Sequence, residues 1–210
     1  MRSEEGEWAV RGARATLEGY LTEQLRADDL PAVSEQPLTP IFDEPRGVFV
    51  TLKHHPSGDL RGCIGFPEPD LPLRVALPRA ILAAATADPR FPPVEPDELA
   101  RITLEVSVLT PPERIDQEPR TEMPGRIVVG RDGLIVDGRG TSGILLPQVA
   151  TELGWGAEEF LAQTCRKAGL PTRAWRDRDV EVRAFHAEVF RERTPRGSVF
   201  AERVTGVPVS

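Results

Sequence analysis

Cys63 is the residue with the most obvious chemistry. It sits in Leu60-Arg61-Gly62-Cys63-Ile64-Gly65-Phe66, a predicted strand that carries glycine on either side of the thiol. Glycine within a strand lets a ligand or another backbone come close, which makes Gly62 and Gly65 candidate ligand-binding positions. Arg61 is two residues from Cys63, so a regular strand points both side chains to one face. A neighbouring cation favours the thiolate and raises its reactivity, so Cys63 and Arg61 are catalytic candidates. The other reading is equally physical: a free cysteine is a small hydrophobe that packs well in a core. The sequence leaves both open.

The partner strand decides what faces the thiol. If Pro56-Ser57-Gly58-Asp59 is the whole turn, Cys63 lies opposite Leu52 and Arg61 opposite His54, and His54 reaches Cys63 only diagonally. A slip of one residue inverts the relation and brings Lys53 to the face of Cys63, making Lys53 a ligand-binding candidate. Arg90 is a further binding candidate. It stands in the proline-bracketed loop Asp88-Pro89-Arg90-Phe91-Pro92-Pro93 and could clamp a carboxylate or phosphate with both arms of its guanidinium. Its alternative is a local pair with Asp88, with Phe91 inserted in the core. Glu105, on the polar side of the strand at 101–109, is a candidate general acid or base if that face is covered, and an ordinary surface residue if it is wet.

Other chemistries find little support. His54 and His55 are adjacent, so a strand sends them to opposite faces, and His186 is distant. No spacing resembles a zinc site, and neither a metal nor a cofactor is expected. Cys165 shares a helical stripe with Leu161, Thr164 and Ala168 and reads as core. Lys167 reads as the C-terminal cation of a helix. The loop Gly140–Gly143 lacks a nucleophile-elbow spacing, and Gly62–Gly65 matches no nucleotide-binding loop.

The elements that must position these residues follow from hydrophobic period and turn chemistry. Ala13, Leu17, Tyr20, Leu21 and Leu25 share one face of a helix predicted over 7–26, ended by Asp28-Asp29-Leu30-Pro31. A proline-rich loop at 31–46 leads into a hairpin of Gly47 to Lys53 or His55 and Leu60 to Phe66. Leu71 to Ala87 predicts a helix that Pro78 should kink or restart. Residues 101–109 alternate strictly and predict a strand, and 113–125 read as loop. A second hairpin is expected from Ile127–Val129 and Leu134–Val136 around Gly130-Arg131-Asp132-Gly133, followed by a flexible loop at 138–143. A short strand at Ile144–Leu146 precedes a short helix ending near Leu153-Gly154. Ala157–Ala168 predicts a helix stopped by Gly169 and Pro171. A last strand is expected at about Val180–Phe190, then an irregular tail that Val199-Phe200 could pin. Hairpins rather than strand–helix–strand units imply an α+β fold with a mostly antiparallel sheet flanked by helices.

The chain has 210 residues, 40% hydrophobic and 28% charged, ordinary values for a globular protein. Its net charge of −7 disfavours a general nucleic-acid role. With two cysteines it is no disulfide scaffold. Its first residues lack an apolar signal core, and no run approaches the ~18 apolar residues of a membrane span. A cytoplasmic protein is expected.

The segment Leu60–Phe66 resembles the LRGCIG signature of the AMMECR family. Gly47–Lys53, Asp88–Pro93 with Glu105–Leu109, and Leu145–Val149 leading to Phe160–Leu170 resemble that family in the same order, over roughly residues 10 to 200. The version here is similar to the archaeal and bacterial branch, protein A of the AmmeMemoRadiSam system. The resemblance implies one domain over 1–210 in two unequal lobes, the smaller around 112–155, with a cleft near the signature. It also implies possible company: a Memo-type protein, similar to extradiol dioxygenases, and a radical-SAM enzyme. It brings no settled reaction. The expectation is an enzyme or enzyme subunit acting on a small molecule beside Arg61 and Cys63, with a non-catalytic binding module as the alternative.

Overall fold

A computed structural model describes residues 1–22 and 39–202. The predicted helix end at 23–31 and the first part of the proline-rich loop therefore lie outside the described residues. The chain divides into two compact units, Met1–Leu109 with Glu188–Arg203, and Thr110–Ala187. Helices and antiparallel strands give an α+β fold.

In the first unit, α1 (Ser3–Leu21) begins earlier than its apolar stripe suggested. The Glu5 side chain folds back to the Arg2 backbone N–H at 2.6 Å, so a capping interaction starts the helix before the stripe does. Strands β1 (Val48–His54) and β2 (Leu60–Phe66) form the expected hairpin, and β1 pairs on its other side with β3 (Ile102–Leu109). Helix α2 (Leu73–Thr86) is continuous through Pro78. Leu73, Ala76, Leu77, Ala80, Ile81 and Ala84 recur at three and four and are fully buried. Packing of that stripe offsets the ~3 kcal/mol that an interior proline costs a helix. Val48, Val50, Leu52, Leu104, Val106 and Val108 meet α1 and α2 from one sheet face, so the alternate residues of β1 and β3 point the other way.

A buried ion pair locks this unit. Arg14 of α1 donates Nε to Glu192 Oε1 at 3.0 Å and Nη2 to the Ile102 carbonyl at 2.9 Å, while the Leu104 N–H donates to Glu192 Oε2 at 3.1 Å. A second Arg14 nitrogen also contacts Glu192 Oε2.

The second unit corrects several expectations. Ile127–Val129 is no strand, and 138–143 is no flexible loop. The hairpin lies one step later, between β5 (Asp132–Gly138) and β6 (Thr141–Leu145). Its two-residue turn, Arg139-Gly140, has φ of 53° and 79°, the positive pair a tight hairpin requires. The earlier Gly130–Gly133 stretch is used differently: the Val128 N–H donates to the Asp132 carboxylate at 2.7 Å and to no strand. Residues 113–125 are also not all loop, since β4 (Glu113–Arg114) pairs with β7 (Glu181–Glu192) and Arg120–Arg126 forms a 3-10 turn.

Helices α3 (Pro147–Glu152) and α4 (Ala157–Lys167) follow. Gly169, at φ 74°, ends α4 with paired bonds from Gly169 N–H to Arg166 and from Leu170 N–H to Cys165, both 2.9 Å, as its sequence predicts. Strand β7 (Glu181–Glu192) runs on past Phe190, and β8 (Val199–Glu202) folds back on it, so the tail through 202 is a hairpin. Among the described residues no helix is long and apolar enough to cross a membrane.

Candidate functional site

The hairpin register takes the slipped form. Cys63 pairs with Thr51 and Gly62 with Leu52, and the register shifts between Leu52 and Lys53, where Lys53 pairs with Leu60. Arg61 is thus the extra residue of a bulge, a feature that re-aims a side chain. Of the two registers the sequence left open, the one with Cys63 opposite Leu52 and Arg61 opposite His54 is not formed. Thr51 also pairs with Glu105 on β3, so Cys63, Thr51 and Glu105 form a row across three strands on the face away from α1 and α2. The Thr51 hydroxyl donates to Cys63 Sγ at 3.3 Å. The Lys53 ammonium donates to Glu105 Oε2 at 2.9 Å, one step along the same face. Cys63, Thr51, Lys53 and Glu105 are all half-buried. A thiol held by a hydroxyl donor, next to a carboxylate–ammonium pair, can exchange protons and attack an electrophile.

Arg61, at the start of β2, is nearly fully buried, unlike the half-buried Cys63. Its Nε and Nη2 grip Glu98 at 2.7 and 2.9 Å, and Nη2 also reaches the Pro93 carbonyl at 3.2 Å. The guanidinium beside it holds the Glu98 carboxyl below its ordinary range. Arg61 Nη1 is buried with no hydrogen-bond partner among the described residues.

The space left by the two glycines is filled by the protein. A Cβ on Gly62 would stand 2.2 Å from the Ala84 carbonyl of α2, and one on Gly65 2.4 Å from the Phe49 ring. Close approach of backbone to backbone, rather than to a ligand, explains Gly62.

Arg90 forms the local pair with Asp88. Its Nε and Nη2 reach the two Asp88 oxygens at 2.9 and 2.7 Å. The same carboxylate accepts the Cys63 N–H at 2.8 Å, and Arg90 Nη2 donates to the Cys63 carbonyl at 3.2 Å. The loop therefore acts as a short stand-in strand for β2, clamping the backbone of the thiol residue from both sides. Arg90, more than the other donors, pulls the Asp88 carboxyl far below the usual carboxylate range. Phe91 is only half-buried, between the guanidinium groups of Arg61 at 6.0 Å and Arg90 at 5.6 Å.

Lys53 and Glu105 also line a cavity of about 290 Å³ whose walls all belong to the first unit. His54, His55, Arg191, Arg193 and Phe200 share it. Arg191 and Arg193 stack on Phe200 at 4.9 and 4.7 Å. Sequence reasoning missed these last three, because they sit in a tail read as irregular. The only signal was the pair Val199-Phe200 after a run of arginines.

In the second unit, Asp132 is fully buried and His186 Nε2 lies 2.9 Å from its Oδ1. Arg131 Nε reaches the same oxygen at 2.7 Å. Sequence reasoning set His186 aside as isolated. Cys165 is buried in the core of this unit, and burial pushes its thiol up. No group of histidine, cysteine and carboxylate side chains among the described residues could hold a metal ion.

The chain as a whole is similar to known proteins. The AMMECR1 family model matches residues 10–190. A protein of Thermococcus gammatolerans is 52% identical over 95% of this chain and 96% of its own length. A protein of Methanocaldococcus jannaschii is 46% identical over 96% of each. The crystal structure of an uncharacterised protein of Pyrococcus horikoshii superposes with a TM-score of 0.80 at 47% identity, covering 96% of this chain and 98% of that one.

Proposed function

The chain belongs to the AMMECR1 family, and from that premise we propose that it acts on a small molecule at the outer face of the first unit's sheet. In this reading Cys63 is the nucleophile, Thr51 holds its sulfur, and Lys53 with Glu105 carries protons. One observation supports it above the others. Two side-chain contacts, Thr51 to Cys63 and Lys53 to Glu105, sit side by side on the sheet face that does not build the helix-packed core. Polar groups brought together in this way have no packing task, and the clamp of Asp88 and Arg90 on the Cys63 backbone fixes the thiol's position. Arg61 belongs to the reading only as a support, its buried guanidinium fixed by Glu98 and the Pro93 carbonyl beside the strand that carries the thiol.

Alkylation of Cys63 by iodoacetamide tests the reading when the wild type is compared with Thr51→Val. A donor to the sulfur stabilises the thiolate, so its removal slows alkylation at neutral pH by about threefold or more. Lys53→Met changes the rate in the same direction. Equal rates in all three proteins overturn the nucleophile role and leave a non-catalytic binding module.

A further inference from the structure

Resting on that reading of the same face, we propose that the molecule bound there is a small anion, held through a phosphate or carboxylate group by Arg191 and Arg193 in the cavity beside Lys53. The chain carries a net charge of −7 and only two lysines and three histidines. One of those lysines and two of those histidines, Lys53, His54 and His55, line this single cavity together with two arginines. Such a concentration runs against the charge of the whole chain, which repels anions at long range.

The carboxylates in the wall are already engaged. Glu105 pairs with Lys53 at 2.9 Å, and Glu192 is bound by the buried Arg14. Arg191 lies 3.5 Å from Glu202, with both side chains more than a third exposed, a pair of little strength in water. Arg193 has no ion pair among the described residues. Both guanidinium groups lie against Phe200, which orients them while leaving their N–H edges for an oxyanion. The anion would then sit beside the Lys53–Glu105 pair, placing the rest of the molecule toward Thr51 and Cys63.

Isothermal titration of the full chain with inorganic phosphate and with succinate, at constant ionic strength set by chloride, tests this. Saturable binding of at least one probe is expected, and the stronger probe identifies the group recognised. Arg193→Gln, at an exposed position, should weaken that binding at least tenfold, and Arg191→Gln likewise. Binding unchanged by both substitutions, or no saturable binding of either probe, overturns the proposal. Cys63→Ser separates it from the reading on which it rests. Binding retained in Cys63→Ser alongside a Cys63 thiol that proves inert in the wild type keeps the anion site and removes the nucleophile. A reactive Cys63 in a chain that binds neither probe does the reverse.

Discussion

The Asp88 carboxylate accepts the backbone N–H of Cys63 at 2.8 Å while Arg90 holds both of its oxygens. A loop after α2 thereby satisfies the exposed edge of β2 at the one residue whose side chain carries the proposed chemistry. Asp88 is buried, so losing it leaves the Cys63 N–H and the Arg90 guanidinium without their acceptor. Asp88→Ala should cost about 2–4 kcal/mol in urea denaturation, and Asp88→Asn, which keeps one acceptor oxygen, clearly less.

The same contacts give the fold an acid limit. Asp88 and Glu98 both have carboxyls lowered in the folded state, by Arg90 and Arg61 respectively. A group whose folded value is depressed contributes stability above the unfolded carboxylate range of about 4, and that contribution is lost as pH falls through the folded value. Thermal unfolding followed from pH 7 to pH 3 should show Tm falling below about pH 5, with a shallower fall in Asp88→Asn and in Glu98→Gln.

Gly62 faces the α2 backbone with no room for a methyl group, 2.2 Å from the Ala84 carbonyl. Gly62→Ala must push the helix from the sheet, at a cost of about 1–3 kcal/mol or more. Chemical denaturation measures it. An unchanged midpoint contradicts the packing described.

Arg14 and Glu192 form a buried pair that also anchors Ile102 and Leu104 of β3. Replacing Glu192 by Ala strands a buried guanidinium and should destabilise by about 3–5 kcal/mol, whereas the double change Arg14→Met with Glu192→Leu should recover a large part of the loss. A double-mutant cycle in urea reads the coupling.

Those elements whose cause is local could be read from the sequence. Ile102 to Leu109 alternates without a break, and α4 carries its acidic start, basic end and Gly169 stop within one segment. The second hairpin was misplaced because its true turn opens with Arg139 at positive φ, a conformation that arginine does not announce, while Asp132-Gly133 nearby looked like a turn. Cys63, Lys53 and Glu105 were visible as candidates. What joined them was not: the register carries a bulge at Arg61, whose side chain is held by Glu98, 37 positions away. Arg191 and Arg193 needed β8 to fold back before Phe200 could collect them.

The most direct measurement is native-state alkylation of the two thiols, resolved by mass spectrometry of the intact fold treated with iodoacetamide at neutral pH. Cys165 is fully buried and serves as the internal control, whereas Cys63 is only half-buried and faces away from the core. Cys63 should be labelled while the protein remains folded, and Cys165 only on unfolding. Labelling of both thiols only when urea unfolds the chain would contradict this, making Cys63 a packing residue and moving the site to the cavity at Arg191 and Arg193.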